Sequence, residues 1–307
     1  VAGLGIVFAS ILGFIVGIAR LSSNWLLSRV AAAYVEILRN IPLLLQLFFW
    51  YFAVLRAVPG MREKWTFLGF FHLNIGGLHV PKLVLSDGAW MVLAAVPIAI
   101  AISIFVSKWG SERQDRTGIR PPTGRINTAI IIGLPVIAFF VAGRPAYFDV
   151  PVFNETGPLL RRGFQSDAGM TIIPEFIGLL LALSLYTASY IAEVVRAGFQ
   201  AVPRGQTEAA SSLGLRGGQV LRLVVLPQAM RVIIPPLTNQ YLNLTKNSSL
   251  AVAVAYPDLV SVGGTVLNQT GQAVEVVSIW MLFYLGLSVL TSFVMGYFNK
   301  RAALIER

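Results

Sequence analysis

The sequence predicts an all-α membrane protein, a polytopic bundle of transmembrane helices. Of its 307 residues, 56% are hydrophobic and only 12% are charged, whereas soluble domains average about 25% charged residues. Several apolar runs reach the roughly 18–20 residues that a helix needs to cross a bilayer. Because these runs are continuous rather than alternating, and because open sheet edges are not stable in lipid, helices are favoured over strands.

Seven spans are predicted, and a further apolar stretch is broken. The spans cover residues of about 1–19, 32–57, 88–107, 126–143, 171–197, 228–246 and 274–298. The chain starts within an apolar run at Val1, so we expect a segment that precedes this sequence. Pro257 and Gly263-Gly264 interrupt the stretch 247–273, which we predict to be a re-entrant or broken helix covered by protein or facing a water-filled cavity.

Lys and Arg residues orient the predicted bundle. With the C-terminus inside, thirteen of them fall in cytoplasmic intervals and six on the opposite side. The positive-inside rule therefore places the interval 198–227 and the C-terminus in the cytoplasm. We attribute the formal charge of +10 to these basic loops rather than to nucleic-acid binding, because no basic stripe alternates with stacking aromatic residues.

Cysteine and histidine usage excludes several kinds of site. The chain has no cysteine, which excludes disulfides, thiolate metal sites and a cysteine nucleophile. Its two histidines, His72 and His79, share one polar interval without a neighbouring cluster of carboxylates. We therefore expect no metal site, and we expect both histidine side chains to face solvent.

The polar interval between the fifth and sixth spans carries the most informative motif. Its residues are Glu208, Ala209, Ala210, Gly214, Leu226 and Pro227. Thr207 is predicted to be the N-cap of a short helix over about 207–213, with Glu208 in the first turn and Gly214 as the C-terminal break. The alanines leave a low surface that another protein can approach closely. The alternative to a docking helix is a cytoplasmic linker that binds no partner. Pro227 is predicted to mark the return of the chain into the membrane.

This spacing resembles the EAA loop of ABC importer permeases, and the flanking sequence is similar to polar amino-acid permeases. The similar segments are 34–44, 184–198, 201–206, 226–229, 235–240 and 246–250. The resemblance covers roughly 28–57 and 171–298, and 58–170 is similar to the long insertion of the general L-amino-acid permease subgroup. It implies a type I ABC importer permease fold with extra spans.

The resemblance also implies a division of the chain. Residues 1–57 form the first two spans. Residues 58–170 form an insertion with two further spans and extracytoplasmic loops at 58–87 and 144–170. Residues 171–307 form the core permease region, with the cytoplasmic coupling loop at 199–227.

The resemblance implies a transport subunit, not an enzyme, in a bacterial inner (plasma) membrane. The chain lacks the Walker A pattern, so ATP and Mg²⁺ are expected on a partner ATPase and no cofactor on this chain. The implied partners are a second permease subunit, expected to be a different chain, two ATP-binding subunits and an extracytoplasmic amino-acid-binding protein. Docking on the ATPase is expected through the EAA-like loop.

Polar residues near the late helix break are candidates for the substrate path. They are Asn239, Asn243, Lys246, Asn247, Ser248 and Ser249. Lys246 and hydroxyls could bind the carboxylate of an amino acid, and asparagine carbonyls its ammonium; polar packing between permease subunits is the alternative. The family often carries Asp at the position of Asn247, so we favour acidic or neutral amino acids, or a broad range, and leave these open.

Ionisable residues within the spans suggest two helix-surface pairs. Glu36 with Arg39, and Glu193 with Arg196, are spaced i, i+3. Two other classes of protein are alternatives to a permease. An ion-coupled secondary amino-acid transporter requires mid-membrane carboxylates and repeat symmetry, and an intramembrane enzyme requires a nucleophile or a carboxylate pair. Neither pattern is clear in the spans.

Overall fold

The computed structural model contains two compact units. It describes residues 1–119, 121–155, 162–165 and 167–302, and the side chains up to residue 300. The first unit comprises Val1–Gly60, Ile75–Gly77 and Ile172–Arg307, and the second Met61–Asn74 and Leu78–Thr171. Residues 156–161 and 166 of the predicted loop 144–170, and residues 303–307 of the predicted core region, lie outside the described residues.

Helices dominate the described part of the chain, and short strands occur between the third and sixth helices. The α-helices are α1 (Ala2–Arg20), α2 (Trp25–Asn40), α3 (Leu43–Phe48), α4 (Ala89–Thr117), α5 (Thr123–Val141), α6 (Pro174–Gln200), α7 (Arg204–Ser212), α8 (Gly217–Val220), α9 (Leu226–Asn247), α10 (Leu259–Thr270) and α11 (Ala273–Ala302). The strands are β1 (Trp65–Phe67), β2 (Phe71–Asn74), β3 (Gly77–Val80), β4 (Lys82–Leu85), β5 (Ala146–Asp149), β6 (Phe153–Asn154), β7 (Gly163–Phe164) and β8 (Met170–Ile172). The predicted all-α membrane bundle is confirmed, and the strands lie in intervals predicted as loops.

Six helical segments of the described chain are long and apolar enough to span a bilayer, or seven if a bent pair counts as one span. That pair corrects the predicted continuous span 32–57, because α2 and the helix that follows meet at 106°. Pro42 disfavours a helical conformation at the preceding residue, and Ile41 is extended with ψ 127°. The Gln46 amide then donates to the carbonyl oxygens of Leu38 and Ile41, at 2.7 and 2.9 Å, and so satisfies the end of α2.

Helices α1 and α6 pack with their backbones close together. Every fourth residue of α1 is small and buried: Gly5, Ala9, Gly13 and Gly17. A Cβ added to Gly13 would lie 2.6 Å from the Cβ of Ile191, and one added to Gly17 would lie 2.8 Å from the Cβ of Val195. Small residues at this spacing allow membrane helices to approach closely and gain dispersion contacts. This glycine ridge was not identified from the sequence.

Helix α9 occupies the predicted span 228–246, but it belongs to a longer helical segment, Gly217–Val254. A π-helical turn, Leu221–Val225, precedes α9, and a 3₁₀ turn, Ser248–Val254, follows it. Pro227 has no N–H to donate, so a regular α-helical ladder is already interrupted at this place. The wider π turn accommodates the interruption, and the chain stays helical through Pro227.

The structure shows the helix break predicted within 247–273. The 3₁₀ turn ends at Ala255, which has φ 56°. Asp258 then caps the N-terminus of α10, because its carboxylate accepts from the Ser261 N–H at 2.8 Å. With 12 residues, α10 is about 18 Å long and too short to cross a hydrocarbon core of about 30 Å. The Trp280 indole holds α10 against α11 by donating to the Leu259 carbonyl at 3.1 Å.

The second unit combines the α4–α5 helix pair with small sheets, in which β1 and β2, β4 and β5, and β6 and β7 pair antiparallel. The largest has the strand order β1–β2–β3–β8, and β4 pairs with β5 and β6 with β7. His72 and His79 are buried in this unit, so the prediction that they face solvent is wrong. The aromatic ring of Phe164 stacks on the His79 ring at 3.7 Å between centroids and draws the imidazole out of water.

His79 makes the second unit sensitive to acid. Burial, and to a smaller extent the nearby His72, lower the pKa of His79 to about 4. Its two ring nitrogens form hydrogen bonds with the side chains of Thr171 and Asn74, at 2.9 and 3.2 Å. Because folding lowers this pKa, the folded unit binds the proton more weakly than the unfolded chain does. The contribution of His79 to stability is therefore fully present at pH values above the unfolded pKa of about 6.5. It is lost as the pH falls from there towards 4.

We expect a loss of up to about 3 kcal/mol in the local stability of β3 between neutral pH and pH 4, since each unit of pKa shift corresponds to about 1.4 kcal/mol. Hydrogen-exchange protection factors of the β3 amides measure it. His79→Gln, which cannot titrate, is the control and should show a much smaller pH dependence. Equal pH dependence in both proteins would contradict this assignment.

Candidate coupling site

The candidate coupling site is α7, which lies between α6 and the long segment that begins with α8. Pro203 is extended, with ψ 139°, and α7 starts at the next residue. At the other end, Gly214 adopts φ 78°, a conformation that glycine reaches without steric cost. The Gly214 N–H donates to the Ser211 carbonyl at 2.9 Å, and the Leu215 N–H donates to the Ala210 carbonyl at 3.3 Å. This is a Schellman ending, and the predicted role of Gly214 as the C-terminal break agrees with it.

Thr207 is not the N-cap, and this prediction was wrong. The helix begins at Arg204, directly after the extended Pro203, and no side chain caps it. Thr207 lies inside α7, where its carbonyl accepts from the Ser211 hydroxyl at 2.8 Å. Glu208 therefore lies beyond the first turn, and the helix dipole contributes little to its placement.

The exposed surface of α7 differs from the one that the motif suggested. Glu208 and Ala209 are exposed, but Ala210 is only 4% exposed and packs inward. Leu213 is 82% exposed at the end of the helix. Leu213 therefore adds one apolar side chain to the exposed surface of the helix that carries the motif. Leu213 was not predicted from the sequence, although a lone leucine directly before the Gly214 break could have indicated it.

Helix α7 is anchored to the helices on both sides. Its first residue follows α6 after only three residues, and the Gln228 amide in α9 donates to the Gln206 side chain at 3.2 Å. Leu226 and Pro227 lie in α9 rather than in α7, so the structure does not place them on the exposed helix. Helix resumes at Gly217, ten residues before Pro227, and the return to the membrane at Pro227 stays a prediction.

A charge cluster joins the end of α6 to α1 and α2. The Glu193 carboxylate binds Arg20 of α1 and Arg196 of its own helix, and Arg39 of α2 lies 3.9 Å away. The predicted pair of Glu193 with Arg196 is therefore present. Arg39 also lies over the Tyr190 ring, 5.0 Å from its centroid. Arg39 thus contacts α6, whereas the sequence predicted a pair with Glu36. One carboxylate thus contacts three helices, eleven residues before the start of α7.

The candidate substrate residues separate into two groups. Asn239, Asn243 and Lys246 are exposed and recur at i, i+4 and i+7 along one face of α9, which is the spacing of a continuous helix stripe. Asn247, Ser248 and Ser249 are partly buried at the turn that follows. The two serine hydroxyls bond to the backbone of the preceding turn. Ser248 donates to the Thr245 carbonyl and Ser249 to the Lys246 carbonyl, each at 2.8 Å. Only the first group presents free side chains along the helix.

Comparison with known proteins gives a consistent result. Residues 119–304 match the model of a family described as "Binding-protein-dependent transport system inner membrane component". The general L-amino acid transport system permease protein AapQ of Rhizobium johnstonii is 52% identical, over 100% of this chain and 75% of the relative.

Two further relatives extend the comparison. The putative amino-acid ABC transporter permease protein YhdX of Escherichia coli is 50% identical, over 100% of this chain and 76% of the relative. The glutamate/glutamine/aspartate/asparagine transport system permease protein BztB of Rhodobacter capsulatus is 41% identical, over 94% and 73%. The crystal structure of an amino acid ABC transporter with histidines aligns with a TM-score of 0.53 and 19% identity, covering 98% of this chain and 88% of that chain, which supports the fold.

Proposed function

Because the chain belongs to the family of binding-protein-dependent transport system inner membrane components and is a transport component rather than an enzyme, we propose that it is a permease of an ATP-driven amino-acid importer and docks its ATPase through α7. The observation that carries this proposal is the exposed helix itself. Helix α7 is capped at its C-terminus by Leu213, which is 82% exposed, and it is joined to a long helical segment by three residues on one side and four on the other. A partner bound to α7 is therefore connected directly to two helices of the bundle.

The contacts around α7 suggest how force reaches the membrane. Movement of the docked ATPases displaces α7, and the bond between Gln206 and Gln228 passes the displacement to α9. Through the short connection after Gln200 it also reaches α6. The Glu193 cluster holds α1 and α2 to α6, so these helices move together. In this account ATP and Mg²⁺ bind to the ATPase subunits, and this chain contributes the lever.

We propose an assembly of this chain with a second, different permease subunit, two ATP-binding subunits and an extracytoplasmic amino-acid-binding protein. The excess of Lys and Arg in the loops on one side supports an inner-membrane orientation with α7 and the C-terminus in the cytoplasm. A relative named for general L-amino acids and another named for glutamate, glutamine, aspartate and asparagine support a broad range of polar amino acids, acidic and neutral. We infer that the stripe of Asn239, Asn243 and Lys246 faces the path, with Lys246 towards the substrate carboxylate.

Uptake in proteoliposomes tests this function. The assembled transporter should accumulate labelled glutamate or glutamine only with internal ATP and with the binding protein present. Replacing the Walker A lysine of the ATPase subunit should remove uptake while the complex stays assembled. An ion-coupled secondary transporter is the alternative class, and uptake driven by an ion gradient without ATP would establish it instead.

A further inference from the structure

The helix pair α4 and α5 fixes the depth of the second unit in the membrane. The apolar part of α4, residues 89–106, is about 27 Å long and the 19 residues of α5 are about 28 Å long, so each matches a hydrocarbon core of about 30 Å. Asn127 of α5 donates to Ser107 of α4 at 2.7 Å, which places the start of α5 beside the basic end of α4. Ala89 and Val141 therefore lie together at the opposite boundary.

A two-stranded ribbon extends from this boundary. Strand β4 ends three residues before α4, and β5 begins four residues after α5. The connections are joined where the Ser86 N–H donates to the Pro145 carbonyl at 2.8 Å. The register pairs Leu85 with Ala146, nearest the helices, and Lys82 with Asp149, farthest from them.

One face of this ribbon is apolar and open. Side chains alternate between the faces of a strand, so Leu83, Leu85 and Phe148 share a face, which we call the apolar ribbon face. They are 53%, 54% and 68% exposed. Beside Phe148 lies an apolar cavity of about 470 Å³. It is lined by Phe70, Phe71, Pro81, Phe148 and Val150.

Nearby side chains at the same level are those typical of a membrane interface. Trp90 in the first turn of α4 is exposed, and the Arg144 guanidinium lies over the Phe140 ring, 5.5 Å from its centroid. Aromatic rings collect at the headgroup level of bilayers, and arginine extends from there towards water. At the far end of the ribbon, the Asp149 carboxylate accepts from the Gly169 N–H at 2.9 Å.

We propose that the apolar ribbon face lies in the headgroup region of the bilayer leaflet at the outer ends of α4 and α5, so that lipid is its occupant. The ribbon continues directly from two spans, and its charged pair, Lys82 with Asp149, lies on the opposite face, about 10 Å farther from the helices than Leu85 at about 3.3 Å per residue. A binding protein that docks and leaves would expose these side chains to water in each cycle. The lipid surface covers them throughout.

The absence of native cysteine makes a depth measurement straightforward. Leu85→Cys, Leu83→Cys and Lys82→Cys are each labelled with an environment-sensitive fluorophore, and the assembled transporter is placed in nanodiscs with lipids that carry a nitroxide near the headgroup. We expect blue-shifted emission and strong quenching at residues 85 and 83 of the apolar ribbon face. Lys82→Cys is the matched control on the same strand, because it lies on the opposite face and farthest from the helices, and it should be quenched less.

A second measurement does not depend on emission. The Phe148→Cys thiol should react more slowly with a water-soluble maleimide when the complex is in nanodiscs than when the same complex is in detergent. The proposal is overturned if residues 83 and 85 emit as in water and are not quenched by lipid. It is also overturned if they become shielded only when the binding protein is added, because the occupant would then be that protein.

Discussion

Glu208→Lys is expected to reduce uptake to background while the protein still inserts into the membrane and assembles its helices. Glu208 is exposed on α7, so reversing its charge leaves the packing of the helix unchanged and alters only the surface offered to the ATPase. Gly214→Asp is expected to act similarly, because an aspartate at φ 78° strains the Schellman ending by about 1 kcal/mol and displaces Leu213. Uptake in proteoliposomes and the ATPase rate stimulated by the binding protein are the measurements.

Glu112→Lys is the matched control, since it makes the same charge change on an exposed residue of α4 outside the coupling site. It should leave uptake near the wild-type value. Normal uptake by Glu208→Lys, with the amount in the membrane equal to wild type, would contradict the role of α7.

The second large effect is expected in the packing of α1 on α6. In Gly17→Leu, the Cβ alone would lie 2.8 Å from the Val195 Cβ and 2.9 Å from the Ala192 carbonyl oxygen. A backbone atom cannot rotate aside, so the two helices must separate and lose their contacts. Overpacking costs about 1–3 kcal/mol where side chains can adjust, and we expect a cost at or above that range. Thermal unfolding of the purified complex in detergent measures it.

Gly3→Leu is the control on the same helix, because nothing lies within 4 Å of a Cβ at this position. It should unfold at the wild-type temperature. If both variants unfold together, the glycine ridge does not set the distance between α1 and α6.

Hydropathy predicted the helices that face lipid, because an uninterrupted apolar run has few alternatives in a bilayer. It did not predict features that depend on single backbone positions or on tertiary contacts. The bend at Ile41 follows from the proline after it, a local rule that the apolar run concealed. The burial of His79 depends on Phe164, which is 85 residues away in the chain and cannot be paired with it by pattern alone.

The candidate coupling helix was predicted from its motif, but the side chains that it exposes were not. Glu208 and Gly214 have the exposure and the left-handed turn that a docking helix requires, whereas Ala210 packs inward and Leu213 points outward. Which side of a short helix faces its own protein depends on the segment Gly217–Val225 beneath it, and sequence spacing alone does not determine that contact. The glycine ridge of α1 shows the same limit, since its partner residues lie in α6.

Cross-linking from α7 tests the central proposal most directly. This sequence contains no cysteine, so Leu213→Cys introduces a single thiol into the chain. The assembled transporter, with an ATPase that carries one surface cysteine, is treated with a short bifunctional thiol reagent. It should give a cross-linked product whose yield changes when ATP is added. Ala210→Cys, 4% exposed in the native chain, should give none. Equal yields from the two positions, or no product from residue 213 in a complex that transports normally, would contradict docking through α7.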